Sequence, residues 1–97
     1  LEGEGDFVKA GDMKIRLAEA ADAAAMTEFN QLMAMETEGK RLEPEVISAG
    51  VEAVFGDPAK GFYVVAEEAG EVAGGLMVTY EWSDWRNGWF WWIQSVY

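Results

Sequence analysis

The chain holds no histidine and no cysteine. Imidazole bases, thiol nucleophiles, disulfides and the usual zinc sites are therefore excluded, and no metal site is expected. Any proton transfer must run through a carboxylate, a tyrosine, water or an amine brought by the substrate. Carboxylates are abundant, since 18 Asp and Glu against 7 Lys and Arg give a formal net charge of −11. The basic residues are scattered singly or in pairs, so neither nucleic acid nor an anionic membrane surface is an expected partner. A cationic or amine-bearing ligand fits the sign, although net charge speaks first to solubility.

The elements that must position such groups fit one small domain. With 97 residues, 51% hydrophobic and 26% charged, the composition is globular. No apolar run approaches a membrane span and the N-terminus lacks a signal pattern, so a cytoplasmic location is expected. Residues 1–12, LEGEGDFVKAGD, show no periodicity. They read as a mobile leader or tag, with Met13 the candidate start.

From Met13 the pattern is regular. Met13–Ala18 alternates as a short strand with one wet face. Ala20 to about Glu36 is Ala-rich, with Met26, Phe29 and Met33 on one helical face and Asp22 near the positive end of the dipole. Those methionines are expected in the core. Gly39 breaks the helix, and Glu36 to Arg41 forms a charged connector. Pro44 opens a second helix with a stripe of Val46, Ile47, Val51, Val54 and Phe55, stopped at Gly56-Asp57-Pro58. Gly61–Glu68 and Glu71–Trp82 form a hairpin about Ala69-Gly70. Gly74-Gly75 predicts a bulge or a close backbone approach. The last stretch, Trp89–Tyr97, enters through Asn87-Gly88 and has no formal charge. It predicts a strand buried on both faces, with neighbours on each side. The fold class is α+β, in the order β-α-α-β-β-β, with both helices on an antiparallel sheet.

That order resembles the N-terminal half of a GNAT-superfamily N-acetyltransferase. Ile15-Arg16-Leu17-Ala18 followed by Asp22 resembles the opening of these enzymes. Gly61 to Glu67 and Gly70 to Gly74 resemble their second and third strands, and TYEWSDWRNGWFWWIQSVY resembles the third-to-fourth strand hairpin of a bacterial subgroup. The likeness covers Met13 to Tyr97. The family's helix cap is usually Thr, where this chain has Glu19. The family's Gly-rich pyrophosphate loop lies just after the fourth strand, and these residues stop before it.

The resemblance implies acetyl transfer from acetyl-CoA, the co-substrate, to a small-molecule amine. A carboxylate, directly or through water, takes the amine's proton. Ser95, Val96 and Tyr97 would lie beside the thioester, largely through main chain. Gln94 stands near the position of a base in many relatives and cannot accept a proton. Glu36 and Glu38 in the connector, with Glu81 and Asp84 at the hairpin, are the candidate acceptors; solvated loop carboxylates are the plainer reading. Trp82, Trp85, Trp91 and Trp92 could form an aromatic amine pocket, though packing against a missing half or a partner suits large aromatics better. Alone, the chain is expected to be an inactive acetyltransferase half. The alternatives are a non-enzymatic module that homodimerises through its apolar terminal strand, or a small-ligand or peptide binder using the aromatic hairpin.

Overall fold

A computed structural model describes residues 6–10 and 13–97 of the chain. The strands are β1 (Asp6–Ala10), β2 (Met13–Leu17), β3 (Phe62–Glu68), β4 (Glu71–Ser83) and β5 (Gly88–Val96). Between β2 and β3 come helices α1 (Ala23–Glu38) and α2 (Pro44–Gly56), with a short 3-10 turn over Ala20–Asp22 leading into α1. The strands form one antiparallel sheet in the order β1-β2-β3-β4-β5. The expected α+β arrangement is present, with one further strand.

That strand corrects the reading of residues 1–12 as a mobile leader: Asp6–Ala10 pairs antiparallel with β2, Ala10 opposite Met13. Phe-Val-Lys is too short to show a period. It suits an extended strand nonetheless, and the outer edge of β2 offers unpaired backbone groups. The rest of the leader lies outside the described residues.

Both helices sit on one face of the sheet. Their stripes meet the inward side chains of β3, so Met26, Val51, Val54, Tyr63 and Val65 form the buried core, with Val65 fully enclosed. Pro44 starts α2 as its fixed φ favours, and α1 ends at Gly39, whose left-handed φ of 64° closes the C-terminus. Val46, expected in the apolar stripe, is 69% exposed, because it lies in the first turn of α2 and off the buried face. Gln31 clamps the connector to α1 through two bonds with the backbone of Leu42, at 2.9 and 2.8 Å.

Both readings of Gly74-Gly75 hold. The β3–β4 register slips between Ala66 and Glu67, so Ala73 is the extra residue beside Gly74. The backbone of Tyr97 also presses close. Its N–H donates to the Gly75 carbonyl at 2.8 Å, its carbonyl accepts from Gly75 N–H at 3.1 Å, and a Cβ on Gly74 would stand 2.6 Å from that carbonyl oxygen. Gly74→Ala should therefore displace Tyr97 and cost about 1 kcal/mol, at the low end of overpacking because a strand end can yield. Urea denaturation monitored by far-UV circular dichroism would read the loss, and an unchanged midpoint would show that the strand end adapts freely.

The expectation for the terminal strand is corrected more sharply. β5 pairs with β4 on one side, and among the described residues nothing pairs with its other edge. Trp91 and Ile93 are 67% and 64% exposed. The apolar run does form a strand, but the described residues do not supply what its surfaces are suited to meet. The hairpin also projects past β3, whose pairing with β4 reaches only Phe62 opposite Val78. Beyond that point β4 and β5 hold each other through Tyr80–Trp91 and Trp82–Trp89 contacts, with ring centroids 5.9 and 5.3 Å apart.

Candidate functional site

Residues far apart in sequence meet where the end of β5 crosses the buried face of α1. Met26, Phe29, Asn30 and Met33 come from α1 because three- and four-residue spacing turns them to one side. Tyr63 and Gly75 come from β3 and β4, and Ser95 and Tyr97 from β5. The Tyr97 ring stacks on Phe29 with centroids 5.0 Å apart and planes 21° from parallel. Its hydroxyl donates to Glu36 Oε2 at 3.1 Å. That bond, with Glu28 adding negative charge nearby, raises the Tyr97 phenol above its usual value. Tyr97 is thus a neutral donor at pH 7, and Glu36 is the acceptor. Side chains nearly fill the crevice.

The sequence candidates divide clearly. Glu36, Ser95 and Tyr97 come together here. Glu36 belongs to the last turns of α1 and not to the connector, because the helix runs on to Glu38 before Gly39 stops it. Glu38 points to solvent, 3.6 Å from Lys40, with both side chains more than half exposed. Val96 falls on the opposite sheet face from Ser95 and Tyr97, as strand alternation requires, so it can join them only through main chain. Glu81 is elsewhere. Its register lies four residues along β4 from Met77, the partner of Ser95, or roughly 13 Å. There it accepts the indole N–H of Trp92 at 2.7 Å, on the helix side of the projecting hairpin. Asp84 lies in the exposed turn beyond it.

Gln94 occupies a bulge, since Met77 pairs with Ser95 while Val78 pairs with Ile93. Its amide donates to Thr79 Oγ1 at 2.8 Å. The four tryptophans do not converge on one pocket. Trp82 and Trp91 share one side of the hairpin, Trp92 faces the other, and Trp85 at the turn is 96% exposed.

Next to the crevice lies a polar cluster that periodicity could not show. Arg16 on β2 donates to both oxygens of Asp22, at 2.8 and 3.1 Å, and through Nε to Glu67 on β3 at 2.9 Å. Asp22 also accepts the backbone N–H of Glu19 at 2.7 Å. That bond is one half of a capping box about this turn, and the Asp22 N–H, which a capping hydroxyl would otherwise take, donates to the Glu19 carbonyl at 2.8 Å. Arg16 holds the Asp22 carboxyl below its usual range.

Neither the family models nor the curated proteins contain a match to this chain. Solved structures do match. A possible acetyltransferase from Clostridium difficile 630 is 47% identical, with a TM-score of 0.85 over 90% of this chain and 57% of that one. An integron cassette protein from the mobile metagenome of Cole Harbour salt marsh shares the fold at 19% identity, TM-score 0.79, over 86% of this chain and 54% of its own. A Trypanosoma brucei acetyltransferase does so at 18% identity, TM-score 0.58, over 88% and 58%. The chain thus spans somewhat more than half the length of the structures it matches. Among the described residues, no helix is long and apolar enough to cross a membrane. Two helices on an antiparallel sheet, with close likeness to a possible acetyltransferase across nine tenths of the chain, make these residues a GNAT half-fold.

Proposed function

We propose that the chain is the acceptor-side half of a GNAT-type N-acetyltransferase, which moves an acetyl group from acetyl-CoA to an amine in the cytoplasm. The observation that carries this is the Tyr97–Glu36 hydrogen bond, which brings a carboxylate to the end of the strand expected to border the thioester. Acetyl-CoA supplies the acyl group and the leaving thiolate. The N–H and C=O of Tyr97 are taken by Gly75, so by ladder alternation it is the main chain of Val96 that lies on the open edge of β5 and suits hydrogen bonding to the thioester carbonyl. Glu36 suits the proton given up by the attacking amine, directly or through one water, with Tyr97 fixing its orientation. A net charge of −11 favours a cationic acceptor approaching from solution.

The test uses the chain completed with the segment that the Clostridium difficile protein carries beyond the match. Release of free thiol from acetyl-CoA is followed across a panel of polyamines and aromatic amines. Turnover is expected with at least one amine, and the 97-residue chain alone should show none. Glu36→Gln should lower kcat/KM by about 100-fold, the usual scale for losing a general base, with little change in KM for acetyl-CoA. Glu38→Gln should change neither. No turnover with any amine, or equal effects of the two variants, would overturn the assignment.

A further inference from the structure

On the helix side of the projecting hairpin lies a group of side chains that the Tyr97–Glu36 centre leaves unused. β3 ends opposite Val78, and Glu81, Phe90 and Trp92 beyond it are exposed. They share a face with Ser95, because Met77 pairs with Ser95, Thr79 with Trp92 and Glu81 with Phe90. The Trp92 indole N–H donates to Glu81 Oε1 at 2.7 Å and so holds the carboxylate beside the ring. Glu81 Oε2 has no hydrogen-bond or ion-pair partner among the described residues. The Phe90 ring, 6.3 Å from that of Trp92 between centroids, already carries a cation: Arg86 Cζ stands 5.3 Å from its centroid. No carboxylate among the described residues pairs with that guanidinium, so the contact is with the ring itself. Aromatic faces beside a carboxylate with a free oxygen are suited to an ammonium group.

We propose that Glu81, Trp92 and Phe90 form a subsite for the distal ammonium of a linear polyamine, whose near amine lies at the Tyr97–Glu36 end of β5. Spacing, charge and shape select this ligand. Glu81 lies roughly 13 Å along β4 from Met77, the partner of Ser95, a span that a short diamine cannot bridge and a tri- or tetramine can. Between the two ends, Gln94 and Thr79 meet at 2.8 Å and offer oxygens to an internal ammonium. The net charge of −11 draws a polycation and not an anionic or neutral chain. The track is one hairpin wide, two strands about 4.8 Å apart, which suits an unbranched ligand better than a peptide with side chains. The subsite rests on acetyl transfer only for the position of the near amine.

Isothermal titration of the 97-residue chain with spermine, without acetyl-CoA, reads the subsite apart from any chemistry. One spermine per chain should bind saturably, and butylamine, with its single ammonium, at least tenfold more weakly. Glu81→Gln and Trp92→Leu should each raise the spermine Kd about tenfold. Glu45→Gln removes the same charge from the exposed first turn of α2 and should leave Kd within about twofold. Arg86→Ala should tighten binding about threefold, because it takes a competing cation off Phe90, a gain that no folding defect imitates. In the completed chain, Glu81→Gln should lower the preference in kcat/KM for spermine over butylamine about tenfold. No saturable binding of spermine, or equal losses with Glu81→Gln and Glu45→Gln, overturns the subsite. So does a lysine-rich peptide that binds more tightly than spermine and depends on Glu81, which would assign the face to peptides. Glu81-dependent binding without thiol release refutes acetyl transfer and leaves the subsite standing; turnover of spermine indifferent to Glu81 does the reverse.

Discussion

Replacing Arg16 with alanine should destabilise the chain by about 3 kcal/mol, because it strands two carboxylates that are mostly withdrawn from water. The side chains of Arg16, Asp22 and Glu67 are only 15, 10 and 21% exposed, so solvent replaces the lost bonds only in part, and Lys14, 4.0 Å from Glu67, relieves one carboxylate alone. The guanidinium fork satisfies both carboxylates at once, and a lysine could not reproduce that geometry. For a domain of this size the loss corresponds to a fall in Tm of more than 10 °C, readable by circular dichroism. Asp22→Ala combined with Arg16→Ala should cost less than the two losses added, since each removes the other's partner. The pH dependence has a definite sign. The folded Asp22 carboxyl titrates below its ordinary value of 3.8, chiefly through the Arg16 bond. Its stabilisation is thus fully present above that value and disappears as pH falls through the lowered one. Asp22→Asn should flatten this part of the acid-unfolding curve, and an unaltered curve would show that the Asp22 carboxyl contributes nothing to it.

Met26→Ala should cost a comparable amount, also about 3 kcal/mol. Met26 is 2% exposed, and its Sδ and Cε lie 3.3 and 3.2 Å from where a Cβ on Gly75 would be. The thioether fills the space that glycine leaves above β4, and truncation opens a void that neighbouring β-branched side chains cannot close. Gly75→Ala alone should be mildly destabilising, since its methyl meets both the Met26 tip and the Val64 carbonyl oxygen at 3.2 Å. Introducing both changes together should cost less than their sum, because the new methyl occupies part of the vacated volume. Denaturant midpoints at unchanged m would measure this. A Met26→Ala loss below about 1 kcal/mol would mean that the site collapses around the smaller side chain.

The parts of this structure legible in the sequence are those governed by local rules. Pro44, Gly39 and Gly56 mark helix ends because capping is decided within a few residues. Alternation and helical spacing located every strand and helix from Met13 onward. Strand β1 escaped because five residues with a central Phe-Val pair carry no measurable period, and only the edge of β2 gives them a partner. The Arg16–Glu67 bond joins residues 51 apart, and no spacing rule reaches that far. The site was half visible. Glu36 and Tyr97 each stand out in the sequence, but their direct contact depends on how α1 crosses the sheet, a tertiary fact. Glu81 looked equivalent to Glu36 on paper, yet strand register sets it far along the hairpin with Trp92. The apolarity of Trp89–Tyr97 was plain, but composition cannot say whether the residues that cover a strand lie in the same stretch of chain.

The bare edge of β5 has a consequence for the molecule in any interval when that edge stands uncovered. A row of open N–H and C=O groups flanked by tryptophans, with no lysine or proline to interrupt it, can template any extended chain and propagate as cross-β assembly. What holds copies apart in that interval is long-range repulsion between acidic surfaces, and physiological salt screens such repulsion beyond about 8 Å. The strand whose composition suits the centre of a sheet is therefore also the one most open to mispairing.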